Sequence, residues 1–164
     1  MNQQIRTLIA DDHTLLREGI RALLEDQPDI LVVAEAEDGR LAVNLAHKLR
    51  PQVVLMDIAM PLLNGLEATR QIKRDHPEIN VLILTMYDHE EYLRQVLEAG
   101  ASGYLLKRAA ASELVAAIRA VNHGEAVLSP SITRLLLDDY YAGIAPKRMW
   151  RRTHSPLVNG KYCN

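Results

Sequence analysis

The chain has 164 residues, 48% hydrophobic and 24% charged, which fits one ordinary folded domain plus an appendage and excludes a disordered polypeptide. Its net charge of −2 is unevenly placed: residues 1–124 carry 13 Lys/Arg against 18 Asp/Glu, and residues 125–164 carry 6 against 3, so the acidic body does not read as a nucleic-acid binder on its own. The single Cys163 excludes an intrachain disulfide framework, residues 1–6 lack the apolar segment of a signal peptide, and no apolar run approaches the ~18 residues of a spanning helix; a cytoplasmic protein with no membrane partner is expected.

Five short apolar runs alternate with amphipathic stretches. Residues 5–10 form the first run and end in Asp11 and Asp12. Residues 13–26 follow with Leu15, Leu16, Ile20, Leu23 and Leu24 at helical spacing. Residues 30–36 are the second run, and 41–49 the second helix, through Leu41, Leu45 and Leu49. The third run, 53–57, ends in Asp57 and is followed by Ile58-Ala59-Met60-Pro61 and Gly65. Pro61 fixes φ there, and Gly65 permits a close approach or a positive φ. Residues 65–74 are the third helix, 81–85 the fourth strand ending in Thr85, and 90–99 the fourth helix. Residues 103–106 precede Lys107, and 112–121 give a fifth helix with Ser112 as its expected cap. The runs are rich in Val, Ile and Leu without polar alternation, as strands covered on both faces should be. Strand–helix alternation implies βαβ units. The expected fold is therefore α/β: a flavodoxin-like, doubly wound, five-stranded parallel sheet with five helices. Beyond Gly124, residues 126–128 read as a short extended piece. Ser129-Pro130 then opens an extra helix, through Ile132, Leu135, Leu136 and Tyr140, that serves as a linker or packs on the body.

Five positions fall at strand ends: Asp11, Asp12, Asp57, Thr85 and Lys107. All carboxyl ends of a parallel sheet lie on one edge, where ligands collect, so residues far apart in sequence converge there. Three acids at one edge repel one another unless a cation joins them, and hard oxygen ligands suit Mg²⁺. Asp57 has the chemistry of a nucleophile toward an activated phosphoryl group. The metal and the Lys107 ammonium neutralise the phosphoryl oxygens, and the Thr85 hydroxyl donates to one of them. The six histidines show no metal-ligand spacing and read as surface or capping residues; Met56, Met60 and Met86 read as packing.

This set resembles the receiver domain of two-component response regulators. The residues that carry the resemblance are Asp11-Asp12, Met56-Asp57-Ile58-Ala59-Met60-Pro61 with Gly65, Thr85 and Lys107. The stretch from Ala99 to Lys107 resembles the NarL/FixJ group, whose receivers usually precede a LuxR-type helix-turn-helix. The resemblance covers about residues 5–140. It implies a CheY-like fold and an Asp57 that accepts a phosphoryl group from a histidine kinase. It further implies Mg²⁺ held by Asp12, Asp57 and the Ala59 carbonyl, with Asp11 close by, and a switch pair of Thr85 and Tyr104. The switch repacks the face made by the fourth helix, fifth strand and fifth helix, and homodimerisation on phosphorylation is a further implication. Such a protein is no enzyme beyond its own phosphorylation and dephosphorylation.

The domain reading is a receiver over 1–124, a linker with a helix over 125–143, and an irregular basic tail over 144–164. The 21 residues after Gly143 contain Pro146, Pro156 and Gly160 and no amphipathic face. A four-helix DNA-binding domain needs roughly 44 helical residues, so this chain is expected not to bind a specific DNA site. A truncation, a shifted frame and an added remnant remain open for the tail. Ala59 cannot orient a hydrolytic water, which predicts slow loss of phosphate. Two other readings stand: a haloacid-dehalogenase-type phosphatase, which lacks its second acid because position 59 is Ala, and a passive Mg²⁺-binding interaction module.

Overall fold

Strands of Val, Ile and Leu with no polar face need cover on both sides, and that requirement sets the architecture seen in the computed structural model, which describes residues 3–86 and 90–144. Among the described residues the elements run β1 (Ile5–Ala10), α1 (Thr14–Glu25), β2 (Ile30–Ala36), α2 (Gly39–Leu49), β3 (Val53–Asp57), α3 (Gly65–Asp75), β4 (Asn80–Thr85), α4 (Glu90–Glu98), β5 (Gly103–Leu106), α5 (Ala111–Asn122), β6 (Val127–Leu128) and α6 (Pro130–Ile144). The sheet order is β2-β1-β3-β4-β5-β6 with every pairing parallel. This is the flavodoxin-like winding expected, with the chain reversing direction between β1 and β3 and opening a crevice at their carboxyl ends.

The sheet has six strands rather than five. The extended piece expected at 126–128 joins it: Gly103 pairs with Val127 and Tyr104 with Leu128. Gly103 makes room, since a Cβ there would stand 2.7 Å from Leu82 Cδ1 and 2.9 Å from the Val127 carbonyl oxygen. The core holds Ile9, Leu24, Leu55, Leu82, Ile118 and Val121 among its most buried members.

Several local expectations are corrected. Leu15 is 83% exposed, because it lies off the stripe that buries Ile20 and Leu24 on α1. Ser112 is not a cap: α5 starts one residue earlier, with Ala110 in the extended cap position and no side-chain cap bond. Met86 is exposed rather than packed. Real side-chain caps occur at Asp38, which accepts from Leu41 N (2.7 Å), and at Asn64, which accepts from Glu67 N (2.9 Å).

The chain divides into two compact units, residues 1–129 and 130–164. The described part of the second is α6, which carries exposed Leu137, Tyr140 and Tyr141, with the two tyrosine rings edge to face at 5.8 Å. The tail expected to be irregular lies outside the described residues from 145 onward.

Candidate metal and phosphoryl site

Strand register assembles the site. Ala10 pairs with Met56, so the next residues, Asp11 and Asp57, emerge side by side. Asp57 pairs with Leu84, which puts Thr85 one step further along. Thr85 pairs with Leu106, and the following residue, Lys107, donates its backbone N–H to the Thr85 carbonyl at 2.7 Å. All five strand-end positions therefore share one rim.

The side chains converge on it. Lys107 Nζ lies 2.8 Å from Asp11 Oδ2 and 3.1 Å from Asp57 Oδ2, with all three side chains nearly fully buried. Asp12 is exposed at the mouth. Asp11, Asp12, His13 and Asp57 each offer a ligand atom within 4.8 Å of one another. Asp57 Oδ2 is buried and has no hydrogen-bond partner among the described residues. The Lys107 ammonium faces it at 3.1 Å as an ion pair. A buried carboxylate oxygen left open beside two further acids fits a hard divalent cation. Burial pushes the Asp57 carboxyl up to about 6; Lys107 pulls it down, while Asp11 and Asp12 add repulsion.

Behind Asp57 the loop is closed tightly. Gly65 N donates to the Ile58 carbonyl at 2.8 Å, and Gly65 packs directly against the Asp57 backbone. Close approach is thus the reason for glycine here. Ala59 lies exposed in the bend two residues after Asp57. Thr85 is buried, and Tyr104 is completely buried in β5.

Two residues near the site were not anticipated. His13 Nδ1 lies 3.0 Å from Asp11 Oδ1 and 3.2 Å from Asp12 Oδ1, folded back over the acid pair rather than capping α1 with its ring. Its place directly after two acids was the available signal. Arg17 Nη1 donates to the Asp11 carbonyl at 2.6 Å while Nε binds Glu35 Oε1 at 3.1 Å, which holds the acidic loop to α1 and β2. Six residues from Asp11 on a helix, Arg17 reads in sequence as an ordinary solvated charge.

A parallel sheet that gathers acids and a buried ammonium at its carboxyl rim defines a class, the doubly wound α/β domains with an acidic site at the switch point, and comparison with known proteins specifies it. The family model described as response regulator receiver domain matches residues 7–119, and the chain belongs to that family. It is similar to the transcriptional regulatory protein DegU of Brevibacillus brevis, with 45% identity over 145 residues, 85% of this chain and 61% of the relative. It is also similar to the response regulator GacA of Pseudomonas protegens, 44% identical over 133 residues, 81% of this chain and 62% of the relative. A solved LuxR-family two-component response regulator from Aurantimonas sp. SI85-9A1 superposes with a TM-score of 0.80 at 37% identity, covering 85% of this chain and 99% of that one. The relatives are of the LuxR/NarL type, in agreement with the sequence resemblance. This chain spans about three fifths of the length of the curated relatives it matches.

Proposed function

We propose that this chain is a phosphorylation-activated receiver of a two-component system, in which a histidine kinase donates a phosphoryl group to Asp57. The observation that carries the reading is the open, buried Asp57 Oδ2 beside the Lys107 ammonium. An Asp57 oxygen attacks phosphorus as the N–P bond of the donor phosphohistidine breaks. The bond pair leaves with the imidazole, which takes up a proton, and Asp57 becomes an acyl phosphate. Lys107, already between the two buried acids, neutralises charge on the transferring oxygens. Asp12, Asp57 and the Ala59 carbonyl would hold Mg²⁺, with Asp11 close by, and the ion would supply positive charge to the phosphoryl oxygens. Thr85, at the adjacent strand end, is the hydroxyl that engages the phosphate, and Tyr104 is its switch partner. Together they bias the face of α4, β5 and α5 between two states.

On this reading residues 1–124 are the receiver, 125–143 the linker and 144–164 a tail. The protein works in the cytoplasm, homodimerises on phosphorylation, and turns over nothing but its own phosphate. The relatives' names as transcriptional regulators support transcription as the output of its pathway. Among the described residues no helix is long and apolar enough to cross a membrane.

Acetyl phosphate with Mg²⁺ separates the readings. A receiver incorporates one phosphoryl group stably, and Asp57→Asn abolishes it. Continuous release of phosphate would indicate the phosphatase reading, and no incorporation the passive module.

A further inference from the structure

We propose that His47 and His76 form a second metal site, taking a borderline divalent ion such as Zn²⁺, Cu²⁺ or Ni²⁺, between the C-terminal ends of α2 and α3. The site is separate from the acidic rim and does not depend on the phosphorylation reading.

The spacing is that of two ligands on one ion. His47 Nδ1 and His76 Nε2 are 3.0 Å apart, with ring centroids at 5.1 Å and planes inclined by 33°. Two imidazole nitrogens, each ~2.0–2.1 Å from a single zinc or copper ion and at cis or tetrahedral angles, stand roughly 2.9–3.4 Å apart. To admit the ion a proton has to leave and the rings have to turn, because nitrogens that share a hydrogen aim at each other while two ligands aim at a point beside the line between them. The pair as it stands shares one hydrogen, and metal binding displaces it.

The surroundings favour a cation. His47 lies in the last turn of α2, and His76 is the C-cap of α3. Both residues therefore lie at the partly negative ends of their helices. His76 is buried, so its ring is held in place before binding. The recess around the pair is lined by Asn44, Gln71, Lys48 and Asp75. Water completes the coordination shell, since Asp75 Oδ1 is engaged by Arg74 Nε at 3.3 Å; two protein ligands and the opposing charge of Lys48 set a modest affinity. Nitrogen ligands select zinc, copper or nickel over magnesium, whereas the all-oxygen acids at the sheet rim prefer the reverse. The two sites therefore sort two kinds of metal.

The test is a Zn²⁺ titration of the full chain in excess Mg²⁺, read by imidazole ¹H–¹⁵N spectra and calorimetry. The expected result is that the His47 and His76 rings shift together and saturate at one equivalent. His47→Gln, a change on the exposed member of the pair, should weaken zinc binding by about tenfold or more. It should leave the zinc-free unfolding midpoint and acetyl phosphate labelling unchanged. Zinc binding of equal strength in His47→Gln, shifts confined to His13 or His154, or no binding at all would each overturn the proposal.

Discussion

Gly65 packs so closely on Asp57 that a methyl group on its α-carbon would stand 1.9 Å from the Asp57 carbonyl oxygen and 2.8 Å from the carbonyl carbon. The obstacle is strand backbone, which cannot swing aside as a side chain does. Gly65→Ala should therefore push α3 away from the end of β3 and cost roughly 1–3 kcal/mol as overpacking. Denaturant unfolding measures this directly, and phosphoryl uptake should slow with it because the acceptor loop moves. Wild-type stability in Gly65→Ala would show that the loop is slack.

The pH dependence of stability follows from Asp57. Its carboxyl titrates at 3.8 in the unfolded chain and is pushed to about 6 by burial in the folded one. Between those values the folded protein holds more proton than the unfolded, so stability falls as pH rises through this window and is flat above it. The loss is about 3 kcal/mol at most. Asp57→Asn should accordingly be more stable than wild type at pH 8 without divalent ions, and the gap should close toward pH 4. Thermal unfolding across pH 4–8 tests it. A gap that widens on acidification would reverse the sign.

Lys107 is the counter-charge for both buried acids. Lys107→Met leaves two carboxylates facing each other, and removing one partner of a buried ion pair costs on the order of 3–5 kcal/mol. Added Mg²⁺ should restore part of that stability, since a cation can take over the charge. Phosphoryl transfer should not recover, and labelling should slow by roughly a hundredfold, the usual cost of losing one donor to developing charge. A time course of acetyl phosphate labelling with saturating Mg²⁺ separates the two roles.

Ala59 sits exposed at the mouth of the site and carries no group to orient water. The phosphorylated form should lose phosphate slowly, and Ala59→Asn, by offering an amide to the attacking water, should shorten its lifetime several-fold. Measuring decay of intact phosphoprotein in Mg²⁺ decides this. Rapid decay of the wild type with no phosphatase present would contradict it.

The strands and their terminal residues were readable because a buried parallel strand leaves an unmistakable apolar run, and a polar residue at its end has one place to go. Strands 5–10, 30–36, 53–57 and 103–106 are placed as expected, and 80–85 begins one residue earlier. What stayed hidden depends on contacts between distant segments. The extended piece at 126–128 was legible, but its place in the sheet as β6 was not, since that rests on pairing with Gly103 and Tyr104. The partnership of His47 with His76 spans 29 residues and arises from helix packing, so spacing rules for metal ligands could not see it. The fold of His13 over the acids depends on where α1 begins, a matter of one residue. The exposure of Leu15, by contrast, was legible: at about 100° per residue it stands on the opposite side of α1 from Ile20 and Leu24.

The central claim is that the residue 57 carboxylate is the phosphoryl acceptor. Reduction with borohydride after acetyl phosphate treatment in Mg²⁺, followed by peptide mass mapping, tests it most directly, because only an acyl phosphate is reduced under these conditions. The account predicts that Asp57 alone is converted to homoserine and that the conversion disappears without Mg²⁺. Conversion at Asp11 or Asp12 instead, or phosphate found on a serine, threonine or histidine with Asp57 untouched, would contradict it.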